Sequence, residues 1–155
     1  MIASRFGGLC QLACVCMSFA LPAEAAPEIH AILNAASYTG SGRPNSGIAR
    51  GSMFVVFGVG LGPVDLQQSA GFPLQKTLGG TSIRVTVGAT VVDALMLYAW
   101  ATQVAAILPS STPEGVGLME VTYNGHASES GDDNKATVLH LAFLPGRFVA
   151  GPKAP

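Results

Sequence analysis

The feature that most constrains this chain is a series of short apolar segments of period two, each closed by glycine, proline or asparagine. In "TSIRVTVG" (81–88), Ile83, Val85 and Val87 fall on one face and Ser82, Arg84 and Thr86 on the other. Successive strand side chains point to opposite faces, so this pattern specifies a half-buried strand rather than a helical stripe. "GLMEVTYNG" (117–125) repeats it, with Met119, Val121 and Tyr123 inward and Glu120 and Thr122 outward. It ends on Asn124-Gly125, the strongest short hairpin signal. "SMFVVFG" (52–58), "VVDALMLYA" (91–99), "QVAAILP" (103–109) and "ATVLHLAF" (136–143) complete the set. Val104, Ala106 and Leu108 share a face in one of these runs, and Leu139, Leu141 and Phe143 in another. No segment from Ile29 onward sustains a 3.6-residue period. Strands at this spacing predict an all-β fold, a small two-sheet sandwich. The stretch from Gly60 to Gly80, with Pro63, Pro73 and Gly62, Gly71 and Gly79, reads as an irregular connection between the sheets.

Composition narrows the setting. The chain has 155 residues, enough for one domain with a core. Its formal net charge is -1, with eight basic and nine acidic residues well mixed. No basic face is on offer to neutralise phosphates, so nucleic acid is not an expected partner. The N-terminus has Arg5, then the apolar "GGLCQLACVCMSFAL", then the small-x-small site Ala23-Glu24-Ala25. That order predicts a secretory signal peptide over residues 1–26. The apolar run is too short for a membrane span, and Gln11 stands where a lipobox needs leucine ahead of Cys14. Cys10, Cys14 and Cys16 all lie within this leader, so the exported chain has no disulfide, thiolate metal site or cysteine nucleophile. The expected organisation is a signal peptide over 1–26, a β-sandwich domain over 27–145 and a disordered tail over 146–155, with secreted or extracytoplasmic localisation.

The stretch "SMFVVFGVGLGP" invites comparison with a phosphate-binding loop. A dinucleotide site needs G-x-G-x-x-G opening directly into a helix. Here Gly58, Gly60 and Gly62 are spaced G-x-G-x-G, Pro63 follows, and the chain is broken again at Gly71 and Pro73. No acidic residue stands about twenty positions on to hold a ribose. The glycines read instead as a bend over the sandwich edge, where positive φ and close backbone approach are needed.

Taken together, "AILNAASYTGSG", "GIARGSMFVVFGVGLGP", "PLQKTLGGTSIRVTVG" and "ATQVAAILPSSTPEGVGLMEVTYNG" form one pattern. It resembles a bacterial domain family found at the C-terminus of long secreted proteins, which is in turn similar to the immunoglobulin-like IPT/TIG modules of cell-surface proteins. The resemblance covers roughly residues 30–128. It implies an Ig-like sandwich outside the cytoplasm and no particular activity. Arg50 departs from the family's usual proline, and "GDDNK" intervenes before the last expected strand.

Candidate chemistry is sparse. His30, His126 and His140 have no metal-site spacing and read as solvated surface residues. No serine sits in G-x-S-x-G, so no catalytic residue is assigned. Glu129, Asp132 and Asp133 form a weak calcium candidate without D-x-D-x-D alternation. No cofactor is implied. Tyr38, Tyr98 and Trp100 are the aromatics expected near the surface. Tyr98 and Trp100, in "MLYAWATQ", are the candidate ligand-binding pair, able to stack on sugar rings. The functional expectation is a non-enzymatic module with a structural or protein-interaction role at the cell surface. The alternative is a carbohydrate-binding accessory domain whose partner is a polysaccharide.

Overall fold

The computed structural model describes residues 25–40, 43, 46–129 and the backbone of 135–139. The expected signal peptide (to Glu24) and the tail beyond Leu139 lie outside the described residues.

Twelve strands form two sheets, with no helix among the described residues. The strands are β1 (Glu28–Asn34), β2 (Ile48–Ala49), β3 (Met53–Val59), β4 (Gln67–Gln68), β5 (Thr77–Leu78), β6 (Thr81–Val87), β7 (Thr90–Asp93), β8 (Leu95–Ala99), β9 (Gln103–Ile107), β10 (Gly115–Tyr123), β11 (His126–Ala127) and β12 (Lys135–Leu139). One sheet has the order β1-β3-β9-β8-β4. The other has β2-β12-β10-β6-β5, with β7 pairing β6 and β11 pairing β10. All pairings are antiparallel except β2 with β12. The expected all-β, two-sheet architecture is therefore present.

The core lies between the sheets. Ile32, Phe54, Val56, Met96, Val104, Ala106 and Leu108 face Ile48, Ile83, Val85, Met119 and Val121, all buried. The inward faces expected for the 81–88, 103–109 and 117–125 runs hold, with Tyr123 half-buried at the margin. Asn124 and Gly125 both take positive φ, 47° and 85°, and turn Tyr123 onto His126. Among the described residues no buried side-chain polar atom lacks a partner. Thr81 Oγ1 donates to the Leu61 carbonyl at 3.0 Å, and Val121 N donates to Ser128 Oγ at 3.1 Å.

Four local features differ from the sequence reading. Residues 91–99 are two strands in different sheets: β7 pairs with β6, the chain crosses at the fully buried Ala94, and β8 pairs with β9. A small residue lets the bend close against Ile83, whose carbonyl receives Ala94 N at 2.9 Å. The connection from Gly60 to Gly80 contains two short strands, β4 and β5. Third, β1 forms an edge strand that alternation does not reveal. A bulge at His30 puts Ile29 and Ile32, rather than alternate residues, on the core face. The last strand spans Lys135–Leu139, between β10 and β2, where the pattern placed 136–143. Residues 140–143 lie outside the described residues.

The glycine stretch is an arch over one end of the sandwich. Leu61 plugs the core with no exposure, and its backbone N bonds the Ala101 carbonyl at 3.0 Å. Gly60 has φ 65°. A Cβ on Gly58 would stand 1.9 Å from the Glu28 carbonyl oxygen, and one on Gly62 would stand 2.9 Å from Thr81 Oγ1. These glycines serve close backbone approach and a sharp turn.

Candidate functional site

The two outer faces of the sandwich differ in chemistry. On the β6/β10 sheet, Arg84 stands directly between Asp93 of β7 and Glu120 of β10. It pairs with Glu120 at 3.5 Å, while Lys76 pairs with Asp93 at 3.1 Å. This is an ordinary solvated face.

The outer face of the five-stranded sheet is apolar. In β3, Phe54 and Val56 point into the core, so Met53, Val55, Phe57 and Val59 point out. The register aligns the outward residues in three rows. One runs Ala31–Phe57–Gln103–Trp100, with Trp100 N and Gln103 N each bonding the other's carbonyl at 3.0 and 3.4 Å. The next runs Leu33–Val55–Ala105–Tyr98–Gln68. The third runs Ala35–Met53–Ile107–Leu95. No Asp, Glu, Lys or Arg stands in any of the three. The pair Glu28–His30, 3.3 Å apart, lies beyond them at one corner. Val55 and Ala105, at the middle of this face, are only 2% and 0% exposed.

Two backbone features shape this face. The first is a bulge in β8: Met96 pairs with Ala106 and Tyr98 with Ala105, leaving Leu97 as the extra residue. Without it Tyr98 would share the inward side of Met96. With it, Tyr98 turns outward and Ala99 takes the core position. The second is Tyr38, an exposed tyrosine at φ 49° whose N bonds the Asn34 carbonyl at 2.9 Å. A left-handed non-glycine residue costs on the order of 1–3 kcal/mol, and such residues cluster at ligand sites. Tyr38 recovers little of that by burial, since it is 55% exposed. Its ring lies edge-on to Phe57, with centroids 6.5 Å apart.

The sequence-derived pair is brought to this face. Gln103 Nε2 donates a hydrogen bond to the Tyr98 hydroxyl. Burial raises the Tyr98 phenol above its usual 10.0; the Gln103 bond opposes that rise and the nearby Tyr38 adds to it. Trp100 is 44% exposed, and its indole N–H is fixed on the Val64 carbonyl at 2.7 Å. Phe57 and Gln103 belong to the same surface but went unassigned in the sequence. The signal was available: "MFVVF" has no polar residue at either parity, which means both faces of that strand are apolar.

The remaining candidates are dispersed. His30 and His126 are exposed on β1 and β11. Glu129 is exposed, whereas His140, Asp132 and Asp133 lie outside the described residues. Among the described residues no group of three His, Cys, Asp or Glu is placed to hold a metal ion. A depression of about 590 Å³ lies under the loop Gln68–Gln75, lined by Phe72, Leu74 and Leu78.

No protein-family model and no curated protein matches the chain. Among solved structures, it is similar to a bacterial protein from Bacteroides vulgatus ATCC 8482 assigned provisionally to DNA binding. The TM-score is 0.47 and the identity 16%, over 77% of this chain and 49% of that one. The chain thus spans about half the length of that protein, and at this level the likeness carries no functional argument.

Proposed function

We propose that this chain is a non-catalytic binding module, an immunoglobulin-like sandwich of IPT/TIG type that is secreted or held at the cell surface. It docks its partner on the outer face of the five-stranded sheet. One observation carries this reading: that face presents three uncharged rows with Met53 and Trp100 exposed and Tyr38 exposed beside Phe57, while the opposite outer face carries ion pairs. A contiguous apolar patch on a soluble domain marks an interaction surface. The resemblance of the sequence pattern to secreted modules, and the leader-like N-terminus, support the location.

The test is co-sedimentation of the full chain with cell-envelope material. Phe57→Glu places a charge in the middle of the apolar face; Thr86→Glu places one on the charged face. Thermal melting verifies that both variants fold. The reading expects wild type and Thr86→Glu to sediment with the envelope and a folded Phe57→Glu to remain in solution. Equal sedimentation of both variants overturns it.

A further inference from the structure

Resting on that reading, we infer that the occupant of the face is an uncharged polysaccharide, its sugar rings stacked along Tyr38, Phe57, Tyr98 and Trp100. The first argument is electrostatic: the rows contain no ionisable acid or base besides the Tyr98 phenol, so the face matches a neutral ligand and offers nothing to a polyanion.

The second argument is size. The strands β1, β3, β9 and β8, about 4.8 Å apart and about 20 Å long, give a projected footprint of roughly 400 Å², with the two-residue β4 beside them. A stable protein partner or a second copy typically buries about 800 Å² of accessible surface on each side and would have to reach well past these strands. A glycan strand needs only a track of rings: Phe57 and Trp100 flank Gln103 in one row, Tyr98 stands in the next, and Tyr38 lies edge-on to Phe57.

The third argument is the polar detail within the track. The Tyr98 hydroxyl, having accepted from Gln103, keeps its own proton to donate, and Gln103 Oε1 remains to accept. A sugar hydroxyl both donates and accepts, so this pair can engage it from either side. The Val64 carbonyl fixes the Trp100 indole, and the Tyr38 ring rests edge-on to Phe57. The platform is therefore set before a ligand arrives, which reduces the ordering cost of binding.

The experiment is affinity electrophoresis of the full chain through gels containing a neutral β-glucan, xylan, galactomannan or hydroxyethyl cellulose, with alginate as the polyanion. Retardation by at least one neutral polysaccharide is expected, undiminished in 1 M salt and absent with alginate. Tyr38→Ala and Trp100→Ala, each with melting verified, are expected to weaken it about tenfold or more. Retardation by no neutral polysaccharide overturns the inference, as does retardation unchanged in both variants. Light scattering separates the other occupants. A dimer abolished by Phe57→Glu, or envelope binding that survives removal of polysaccharide and is lost in Phe57→Glu, leaves the docking face standing and rejects the glycan. Sedimentation indifferent to Phe57→Glu rejects both.

Discussion

Replacing Gly58 with alanine tests the glycine arch at its tightest point. The new Cβ would meet the Glu28 carbonyl oxygen at 1.9 Å, and the Leu61 side chain at 3.1 Å. Restoring ordinary contact requires β1 to move about 1.5 Å from β3. That displacement breaks the pairing of Ile29 with Gly58 and of Glu28 with Val59, and lifts Ile29 from the core. Overpacking costs about 1–3 kcal/mol where side chains can yield, and a backbone obstacle puts this case at the top, about 3 kcal/mol. For a domain of this size that corresponds to a fall in Tm of about 12 °C. Gly40→Ala is the matched control, since its Cβ meets nothing within 4 Å. It should change stability by less than about 0.5 kcal/mol. Urea unfolding followed by far-UV circular dichroism reads both. A Gly58→Ala chain within about 0.5 kcal/mol of wild type would refute the close approach and, with it, the structural role of the glycine run.

Further outcomes follow from the same structure. Thr81→Val keeps the shape of the side chain and removes the hydrogen bond to the Leu61 carbonyl, which should cost about 1–2 kcal/mol in urea unfolding. Gly125→Ala forces a side chain onto φ 85° in the β10–β11 turn and should lower stability by about 1 kcal/mol in the same assay. Because burial holds the Tyr98 phenol above its usual value, the folded state keeps a proton that the unfolded state releases. Its contribution is intact below pH 10 and is lost as pH rises through the folded value. Tyrosinate absorbance should therefore include a late step that Tyr98→Phe removes. Trp100 emission should be accessible to iodide, as befits an indole 44% exposed, whereas full protection would place it in the core.

How far the sequence disclosed this fold depends on the regularity of each strand. β6 and β10 alternate without interruption, so their inward faces were legible, as was the Asn124-Gly125 turn. β1 and β8 each carry a bulge, and one extra residue inverts every side chain beyond it. Parity alone would bury Tyr98 beside Met96. Nothing in the residues from Val91 to Ala99 marks Ala94 as the crossing point, because that role is set by the other sheet. The apolar outer face was legible only in part. Tyr98 and Trp100 stand out as aromatics two positions apart, but Phe57 and Gln103 join them through β3–β9 and β8–β9 pairing across distant segments. Tyr38 takes its place through a turn conformation that no residue preference announces.

The most direct test of the proposed docking face is site-specific photocrosslinking in cells that express the full chain. Phe57→p-benzoylphenylalanine keeps an aromatic ring on the half-exposed Phe57 position and places a reactive benzophenone on the apolar face. Thr86→p-benzoylphenylalanine does so on the charged face. Benzophenone inserts into C–H bonds, so it reports protein and glycan partners alike. The account predicts slower-migrating adducts from position 57 and none above background from position 86. Adducts of equal yield from both positions, or from position 86 alone, would contradict it.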